Sequence, residues 1–273
     1  MSRNVLSTGG AGDMLPRRRY MSAHTLTYLL WIAPQALLAI LATRMVRNRL
    51  AAKTPVFFAY LLFSLAKFLI YFGVYHLMGG ASFEYFCVYW SLALIDAMFV
   101  LLVIHEIYIL ELGAYEGLTM FASILFKWSA AVLVLLAAVT AASASGSDLS
   151  RLAAGILTLD RSATIVQLGL IILLFVATSS LWLVWQRHLF GIATGMAIIV
   201  SIEVVGLALS TRYGLIFAST YNWMKSVAYL CGVLIWTVHF LRREAVVPFT
   251  VWDDNLRLQE WNTALVRLLG RQR

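Results

Sequence analysis

Charged residues are scarce in this chain of 273 residues, where they make up only 12% of the sequence. Soluble domains carry about 25% charged and about 45–50% apolar residues, whereas this chain is 62% hydrophobic and has a mean hydropathy of +0.83. A single water-soluble core could not bury that much apolar surface. Because the apolar runs are continuous rather than alternating, the composition predicts membrane-spanning helices and argues against a transmembrane β-barrel.

Patterns that carry chemistry are also scarce. The two cysteines, Cys87 and Cys231, lie in apolar segments without metal-ligand spacing, and we expect both thiols to be buried. His105-Glu106 lacks the second histidine of the zinc-protease helix motif. The chain has no P-loop, no nucleophile elbow and no carboxylates paired at helical spacing. The sequence therefore predicts no catalytic residue, no metal and no cofactor.

The net charge of +8 does not indicate a nucleic-acid partner, because no basic stripe with interleaved aromatic residues is present. Basic residues instead cluster at the ends of apolar runs, where they meet lipid headgroups. The predicted partner is therefore the lipid bilayer. Aromatic residues such as Tyr89, Trp90 and Tyr221 also fall near the ends of these runs, and we interpret them as interfacial anchors.

The predicted fold is all-α: a polytopic seven-transmembrane-helix bundle over residues 24–243. A polar tail at 1–23 precedes it, and a short amphipathic helix at 250–270 follows. The predicted spans are 25–43, 55–78, 84–109, 118–142, 161–186, 189–210 and 219–241. Pro34 is expected to kink the first span, and the Ser-, Ala- and Gly-rich segment 143–160 is expected to form the longest loop.

The distribution of basic residues predicts the orientation of the bundle. Lysines and arginines near the helix ends are more numerous on the side of the C-terminus, and such residues favour the cytoplasm. We therefore expect a multi-pass protein of a bacterial inner membrane, with the N-terminus outside and the C-terminus in the cytoplasm. Because Met14 and Met21 follow Met1, the true translation start is left open.

Ionisable residues inside the spans are the strongest pointers to function, because charge in hydrocarbon costs at least about 2.5–3.5 kcal/mol. Counting about 1.5 Å per helical residue places Lys67, Asp96 and Lys127 near the midplane. A second polar layer in the outer half contains Gln167, Glu203, Asn222 and Lys225. Two interpretations stay open: interhelical contacts that fix helix register, or a ligand pocket coupled inward through the midplane charges.

Two further patterns concern helix contacts. Gly191 and Gly195 form a small-xxx-small pair, which favours close helix packing within the bundle. In the C-terminal segment an apolar stripe is formed by Leu258, Trp261, Leu265 and Leu268. The segment 250–270 is therefore predicted to be a helix that lies on the membrane or the bundle, or docks a cytoplasmic or membrane protein partner.

Several strings in the chain resemble a family of uncharacterised bacterial integral membrane proteins over nearly its whole length. They are YLLWIAP at 28–34, ILTLDRS at 156–162, QLGL at 167–170 and FGIA at 190–193, ahead of Glu203. The resemblance implies a bacterial inner membrane and seven spans, and it implies no function. The architecture is more loosely similar to the seven-helix input regions of membrane histidine kinases, whose kinase domain this sequence lacks.

The sequence favours a sensor- or receptor-like module that binds a small ligand in the outer polar layer. The alternative is a secondary transporter or proton-coupled carrier that uses Asp96, Lys67 and Glu203. A retinal photoreceptor is a third hypothesis, since helix 3 carries an acid and helix 7 a lysine. Lys225 lies too near the outer edge for a mid-membrane Schiff base, so this third hypothesis is the weakest.

Overall fold

The structure is a computed structural model of the full chain, and it describes residues 15–78, 83–113, 116–143, 148–180, 185–213, 215–241 and 263. All regular structure in these ranges is helical, which confirms the all-α class. The seven α-helices are α1 Leu15–Arg47, α2 Pro55–Met78, α3 Phe83–Leu112, α4 Glu116–Ser143, α5 Asp148–Ser180, α6 Arg187–Tyr213 and α7 Leu215–Leu241. A short 3₁₀ helix, Leu50–Ala52, lies between α1 and α2.

Six of these helices are long and apolar enough to cross a membrane. The spanning segments are Leu30–Arg47, Pro55–Leu77, Tyr85–Leu112, Thr158–Ser180, Arg187–Leu209 and Thr220–Leu241. In α4 the apolar part that the structure describes is shorter and runs over Met120–Leu136. A hydrocarbon core about 30 Å thick needs about 20 helical residues. The chain is therefore a multi-pass membrane protein, and six of its described helices are long and apolar enough to span.

The predicted helix bounds hold well for α2, whose observed range equals the predicted one. They are wrong for α5, which is helical from Asp148 instead of from residue 161. The expected loop at 143–160 is therefore helical over most of its length. Its Ser and Gly content suggested a loop, but from Leu152 onward the segment contains good helix formers and no proline.

Local sequence explains several helix ends. α2 begins with Pro55, a residue that suits the first helical position because its missing N–H would have no partner there. Arg49, between α1 and the 3₁₀ helix, adopts a left-handed backbone with φ of 55° and reverses the chain. Pro34 lies inside α1 and is buried, so α1 carries its proline on a protein-facing side.

The packing is densest between α6 and α7, and glycines allow this close approach. The ring of His239 packs over Gly191, and the indole of Trp236 packs over Gly195. The predicted role of Gly191 and Gly195 as packing residues within the bundle agrees with this geometry. α3 lies centrally and contacts α2, α4, α5 and α6, while α1 packs on α7 and α2.

The outer surface of the bundle is apolar. Side chains such as Leu69, Met98, Ile165 and Val205 are 40% or more exposed. In water such a surface would be unstable, whereas in a bilayer it faces acyl chains. Cys87 and Cys231 belong to the exposed set, so the expectation that both thiols are buried is wrong. Both positions tolerate exposure because the surroundings of a spanning helix are themselves apolar.

Candidate functional site

A polar cavity of about 270 Å³ lies among α2, α3, α5, α6 and α7. It reaches from the middle of the bundle towards the end where α2 and α6 finish and α3, α5 and α7 begin. We call this region the charged cavity. Its ionisable lining residues other than tyrosine are Lys67, Asp96, Asp160, Arg161, Glu203 and Lys225. The described residues of α1 and α4 contribute none of the lining side chains.

The first ion pair in the charged cavity joins α2 to α3. Lys67 Nζ donates to Asp96 Oδ1 over 2.6 Å, and the two side chains are 22% and 29% exposed. The pair forms because α2 and α3 run antiparallel, which brings the middle of each helix to the same depth. Lys67 Nζ also lies 5.9 Å from the centre of the Phe63 ring, within the range of a cation–π contact.

The second ion pair joins α6 to α7. Lys225 Nζ lies 2.7 Å from Glu203 Oε1, and the side chains are 51% and 23% exposed. Since half of the Lys225 side chain is exposed, this pair lies at the margin of the cavity. Close packing of α6 on α7 fixes its position, because the Tyr221 ring covers Gly206 one turn further along the interface.

Helix α5 contributes a polar stripe to the same cavity. Asp160, Thr164 and Gln167 are spaced four and three residues apart, so they share one face of the helix. Gln167 is buried, and its Nε2 donates to the carbonyl oxygen of Ala97 on α3 over 3.1 Å. Arg161 also lines the cavity. The amide of Gln167 thus ties α5 to α3 beside the Lys67–Asp96 pair.

Asp160 and Arg161 are cavity residues that sequence reasoning missed. The predicted fifth span starts at residue 161, so the sequence prediction places Asp160 before that span and Arg161 at its first position. The spacing of Asp160, Thr164 and Gln167 was the signal that could have revealed a helical polar face. This spacing is not conclusive in the sequence, because the Ser-, Ala- and Gly-rich segment 143–160 predicts a loop.

Aromatic side chains cover the outer part of the charged cavity. Tyr71, Tyr89, Trp90 and Tyr221 all line it. The Tyr71 hydroxyl donates to the carbonyl oxygen of Tyr89 over 3.3 Å, and the two rings stack with centroids 5.6 Å apart. Tyr89, Trp90 and Tyr221, which the sequence assigned to interfacial anchoring, therefore also contact the polar interior.

The structure does not bring every predicted residue to the cavity. Lys127 is exposed on α4 and Asn222 is exposed on α7, and neither lines the cavity. Of the predicted residues, Lys67, Asp96 and Gln167 meet Glu203 and Lys225 in one site rather than in two separate layers. The apolar stripe Leu258, Trp261, Leu265 and Leu268 lies outside the described residues.

A different chemistry occupies the opposite end of the bundle, where two carboxylates of α3 bind backbone N–H groups. Glu106 accepts from Val56 N and from Phe57 N, each over 2.8 Å, at the start of α2. Glu111 accepts from Gln186 N over 3.1 Å just before α6. Both glutamates are buried, and the first N–H groups of a helix otherwise lack partners. These acids hold helix ends together and belong to the scaffold.

Four of the six charges in the charged cavity form the two ion pairs Lys67–Asp96 and Lys225–Glu203. Within the described part of the chain, no group of three or more His, Cys, Asp or Glu side chains is positioned to hold a metal ion. Comparison of the chain with protein-family models, with curated proteins and with solved structures finds no match.

Proposed function

We propose that this chain is a sensor- or receptor-like integral membrane protein that binds a small polar ligand in the charged cavity. The observation that carries this proposal is the convergence of charged side chains of both signs from five helices on one space of about 270 Å³. Ionisable residues are costly inside a membrane and are retained where they serve a function. Small-molecule sites likewise combine a concave shape with a few convergent polar groups.

The packing at the opposite end favours binding over passage across the membrane. There the rings of Phe57, Tyr60, Trp236 and Phe240 form one buried aromatic cluster. Phe57 and Trp236 are fully buried, and the Trp236 indole N–H donates to the carbonyl oxygen of Ile192. A polar cavity above a filled aromatic layer suits a site that a ligand enters and leaves from one side.

Ligand-induced stabilisation of the reconstituted protein tests this proposal. A library of small polar compounds is added to the protein in nanodiscs, and thermal unfolding is followed by intrinsic tryptophan fluorescence. A ligand at a hundred times its Kd stabilises the folded state by about 2.7 kcal/mol. We expect at least one compound to raise Tm in the wild type and in the exposed control Arg212→Gln, and to have no effect on Asp96→Asn/Glu203→Gln.

An equal rise of Tm in Asp96→Asn/Glu203→Gln would show that the compound binds elsewhere. A library without any stabilising compound would remove the support for a ligand site and leave the ion pairs as contacts that fix helix register. Both substitutions in the double variant replace a carboxylate by an amide of the same size, so they disturb the shape of the cavity little.

A secondary transporter or proton-coupled carrier is the alternative, and the position of the Lys67–Asp96 pair favours it. The pair joins the middles of α2 and α3 inside their spanning segments, where a carrier would place its coupling group. Substrate or proton flux in proteoliposomes that disappears in Asp96→Asn while ligand binding persists would favour the carrier. Binding without flux would favour the receptor.

We further propose that α4 is a seventh span and that the protein lies in a bacterial inner membrane with its N-terminus outside. The apolar segment Met120–Leu136 and the full length of α4 support the crossing. The excess of basic residues on the C-terminal side supports the orientation. Arg161 no longer counts as a loop charge on the opposite side, because it lies inside α5. In this orientation the charged cavity faces outward.

The C-terminal segment 250–270 is proposed to dock a cytoplasmic or membrane protein partner. Its support is the spacing of Leu258, Trp261, Leu265 and Leu268, which places four large apolar side chains on one face of a helix. A receptor needs such an output on the side opposite its ligand. Deletion of residues 250–273 is expected to leave folding and membrane localisation intact while a co-purifying protein is lost.

A further inference from the structure

Two of the six charges in the charged cavity have no ion-pair partner among the residues that the structure describes. Lys67 is paired with Asp96, and Lys225 with Glu203. Asp160 and Arg161 line the same cavity, and neither lies within salt-bridge distance of an opposite charge in the described ranges. The cavity therefore presents one carboxylate, attracted by Lys225 and Arg161 at longer range, and one guanidinium, and neither forms a contact ion pair within the described ranges.

The helix geometry of α5 explains why these two residues form no contact ion pair with each other. Asp160 and Arg161 are consecutive, and neighbouring side chains on a helix do not face each other. Both nevertheless border the same cavity. The carboxylate of Asp160 and the guanidinium of Arg161 thus lie next to each other on α5 but point in different directions around the helix axis. A ligand with an anionic and a cationic group a few ångströms apart would contact both.

The charge balance of the cavity restricts the ligand further. The three acids Asp96, Asp160 and Glu203 balance the three bases Lys67, Arg161 and Lys225. A ligand with a net charge would add an uncompensated charge within the membrane, which is unfavourable. A neutral ligand without charges would exclude water from the half-buried Asp160 and leave its carboxylate without a contact partner. A zwitterion avoids both costs.

We propose that the charged cavity binds a small zwitterion of amino-acid size, with its anionic group on Arg161 and its cationic group on Asp160. This inference rests on the proposed function of the cavity as a ligand site. A guanidinium binds a carboxylate through two parallel hydrogen bonds. The rings of Tyr89, Trp90 and Tyr221 also line the cavity and favour an ammonium group held over their faces. The volume of about 270 Å³ is just below the range of about 300–1,000 Å³ typical of drug-sized ligands and therefore selects small molecules.

The test compares zwitterions with matched compounds that lack one charge. Alanine, leucine and phenylalanine are each titrated into the full-length protein in nanodiscs by isothermal calorimetry. The comparison compounds are propionate, 4-methylpentanoate and 3-phenylpropionate, which lack the ammonium, and ethylamine, 3-methylbutylamine and phenethylamine, which lack the carboxylate. At least one amino acid is expected to bind ten-fold or more tightly than both of its counterparts.

Two variants assign the groups, and a matched control excludes general electrostatic effects. In Arg161→Gln the amino acid should bind no better than its amine, because the carboxylate has lost its partner. In Asp160→Asn it should bind no better than its carboxylate counterpart. Arg212→Gln makes the same change at an exposed position of α6 and should keep the wild-type affinities. If either cavity variant does not fold, the comparison of the three compound classes on the wild type still decides the ligand class.

The possible results separate this inference from the proposed function. Tight binding of carboxylates or amines alone would overturn the zwitterion while the cavity remained a ligand site. Amino-acid binding that neither Asp160→Asn nor Arg161→Gln weakens would overturn the assignment of the two groups. If none of the nine titrated compounds binds but a library compound of another class stabilises the protein, the zwitterion inference is overturned and the proposed function is kept. If neither the nine compounds nor any library compound binds, both are overturned.

Discussion

Individual polar residues serve two different purposes in this protein, and their partners distinguish them. Glu106 and Glu111 accept backbone N–H groups at helix starts, so their carboxylates stabilise the fold. Asp96 and Glu203 bind lysine side chains that border a cavity. A carboxylate that accepts from backbone cannot be released without exposing unpaired N–H groups. A carboxylate paired with a lysine side chain can change its partner without leaving backbone groups unpaired.

Glu106→Gln is predicted to destabilise the fold by about 1–3 kcal/mol, the cost of leaving a buried backbone group unpaired. Both carboxylate oxygens of Glu106 accept an N–H, from Val56 and from Phe57, over 2.8 Å each. In glutamine one of these oxygens becomes an NH₂ group, which cannot accept. The free energy of unfolding is measured by titrating denaturing detergent into the protein in mild micelles.

Glu111→Gln is the matched control on the same helix. Glu111 accepts only one backbone N–H, from Gln186 over 3.1 Å, and the amide oxygen of glutamine can still provide that contact. Its cost should stay below about 1 kcal/mol. Equal losses in the two variants would mean that the negative charge, rather than the number of acceptors, stabilises these helix ends.

Depth along a helix was predictable from the sequence, but rotation about the helix axis was not. Counting residues from the membrane edge placed Lys67 and Asp96 at one level, and the structure joins them. The same counting placed Lys127 there, but its side chain is exposed on α4. A uniformly apolar helix carries no periodic signal to show which face is buried. Only the packing of neighbouring helices determines that face.

At the scale of the helices, the close packing of α6 on α7 depends on glycines at their interface. A Cβ atom at position 195 would overlap the indole of Trp236, and one at position 232 would meet the Ile199 side chain. Trp236 is fully buried and bonds the Ile192 carbonyl oxygen. The glycines therefore set the distance between α6 and α7 and, through it, the position of the Lys225–Glu203 pair further along the same interface.

Gly195→Ala is predicted to cost about 1–3 kcal/mol, the range for overpacking a well-packed core. The new methyl group displaces the Trp236 indole and breaks its hydrogen bond to Ile192. Gly169→Ala on α5 is the control, because a Cβ there meets nothing within 4 Å. It should leave stability unchanged or raise it by up to about 1 kcal/mol through better helix propensity. The free energies of unfolding of the two variants in detergent are compared by tryptophan fluorescence. An unchanged stability of Gly195→Ala would mean that α7 can move away from α6 at no cost.

Element type was predictable across the bundle because long apolar runs have few alternatives in a membrane, where every backbone group must be bonded within its own segment. The start of α5 was not predictable from composition. Ser and Gly near residue 145 are typical of loops, yet the helix begins at Asp148 and carries Asp160 and Arg161 into the cavity. Because the predicted start of this helix is thirteen residues too late, the sequence does not identify Asp160 and Arg161, the two residues proposed to bind the ligand, as cavity residues.

At the scale of the whole molecule, the number of crossings decides how the helices that line the charged cavity are directed relative to one another. The structure has six helices that are long and apolar enough to span, and α4 carries the shorter segment Met120–Leu136. If α4 crosses, the two chain ends lie on opposite sides of the membrane. If it does not, they lie on the same side, and α5, α6 and α7 reverse their direction relative to α2 and α3.

The helix register of the cavity argues for the crossing. Lys67 and Asp96 on α2 and α3 meet the α5 and α6 residues Gln167 and Glu203 at one depth. α3 and α5 run in the same direction, because Gln167 bonds the Ala97 carbonyl oxygen and, further along both helices, Tyr108 bonds the Leu170 carbonyl oxygen. α4 connects the end of α3 to the start of α5 and must return across the full thickness of the bundle. We therefore predict that residues 114 and 145 lie on opposite sides.

Cysteine labelling of the full chain in intact cells measures this arrangement. Cys87 and Cys231 are exposed and are first replaced by serine; Ala114→Cys and Ser145→Cys are then introduced separately. A membrane-impermeant maleimide is expected to label residue 145 from outside and residue 114 only after the cells are opened. Labelling of both from the same side would remove α4 from the set of spans. Labelling of residue 114 alone would keep seven crossings but invert the protein, and the charged cavity would then face the cytoplasm.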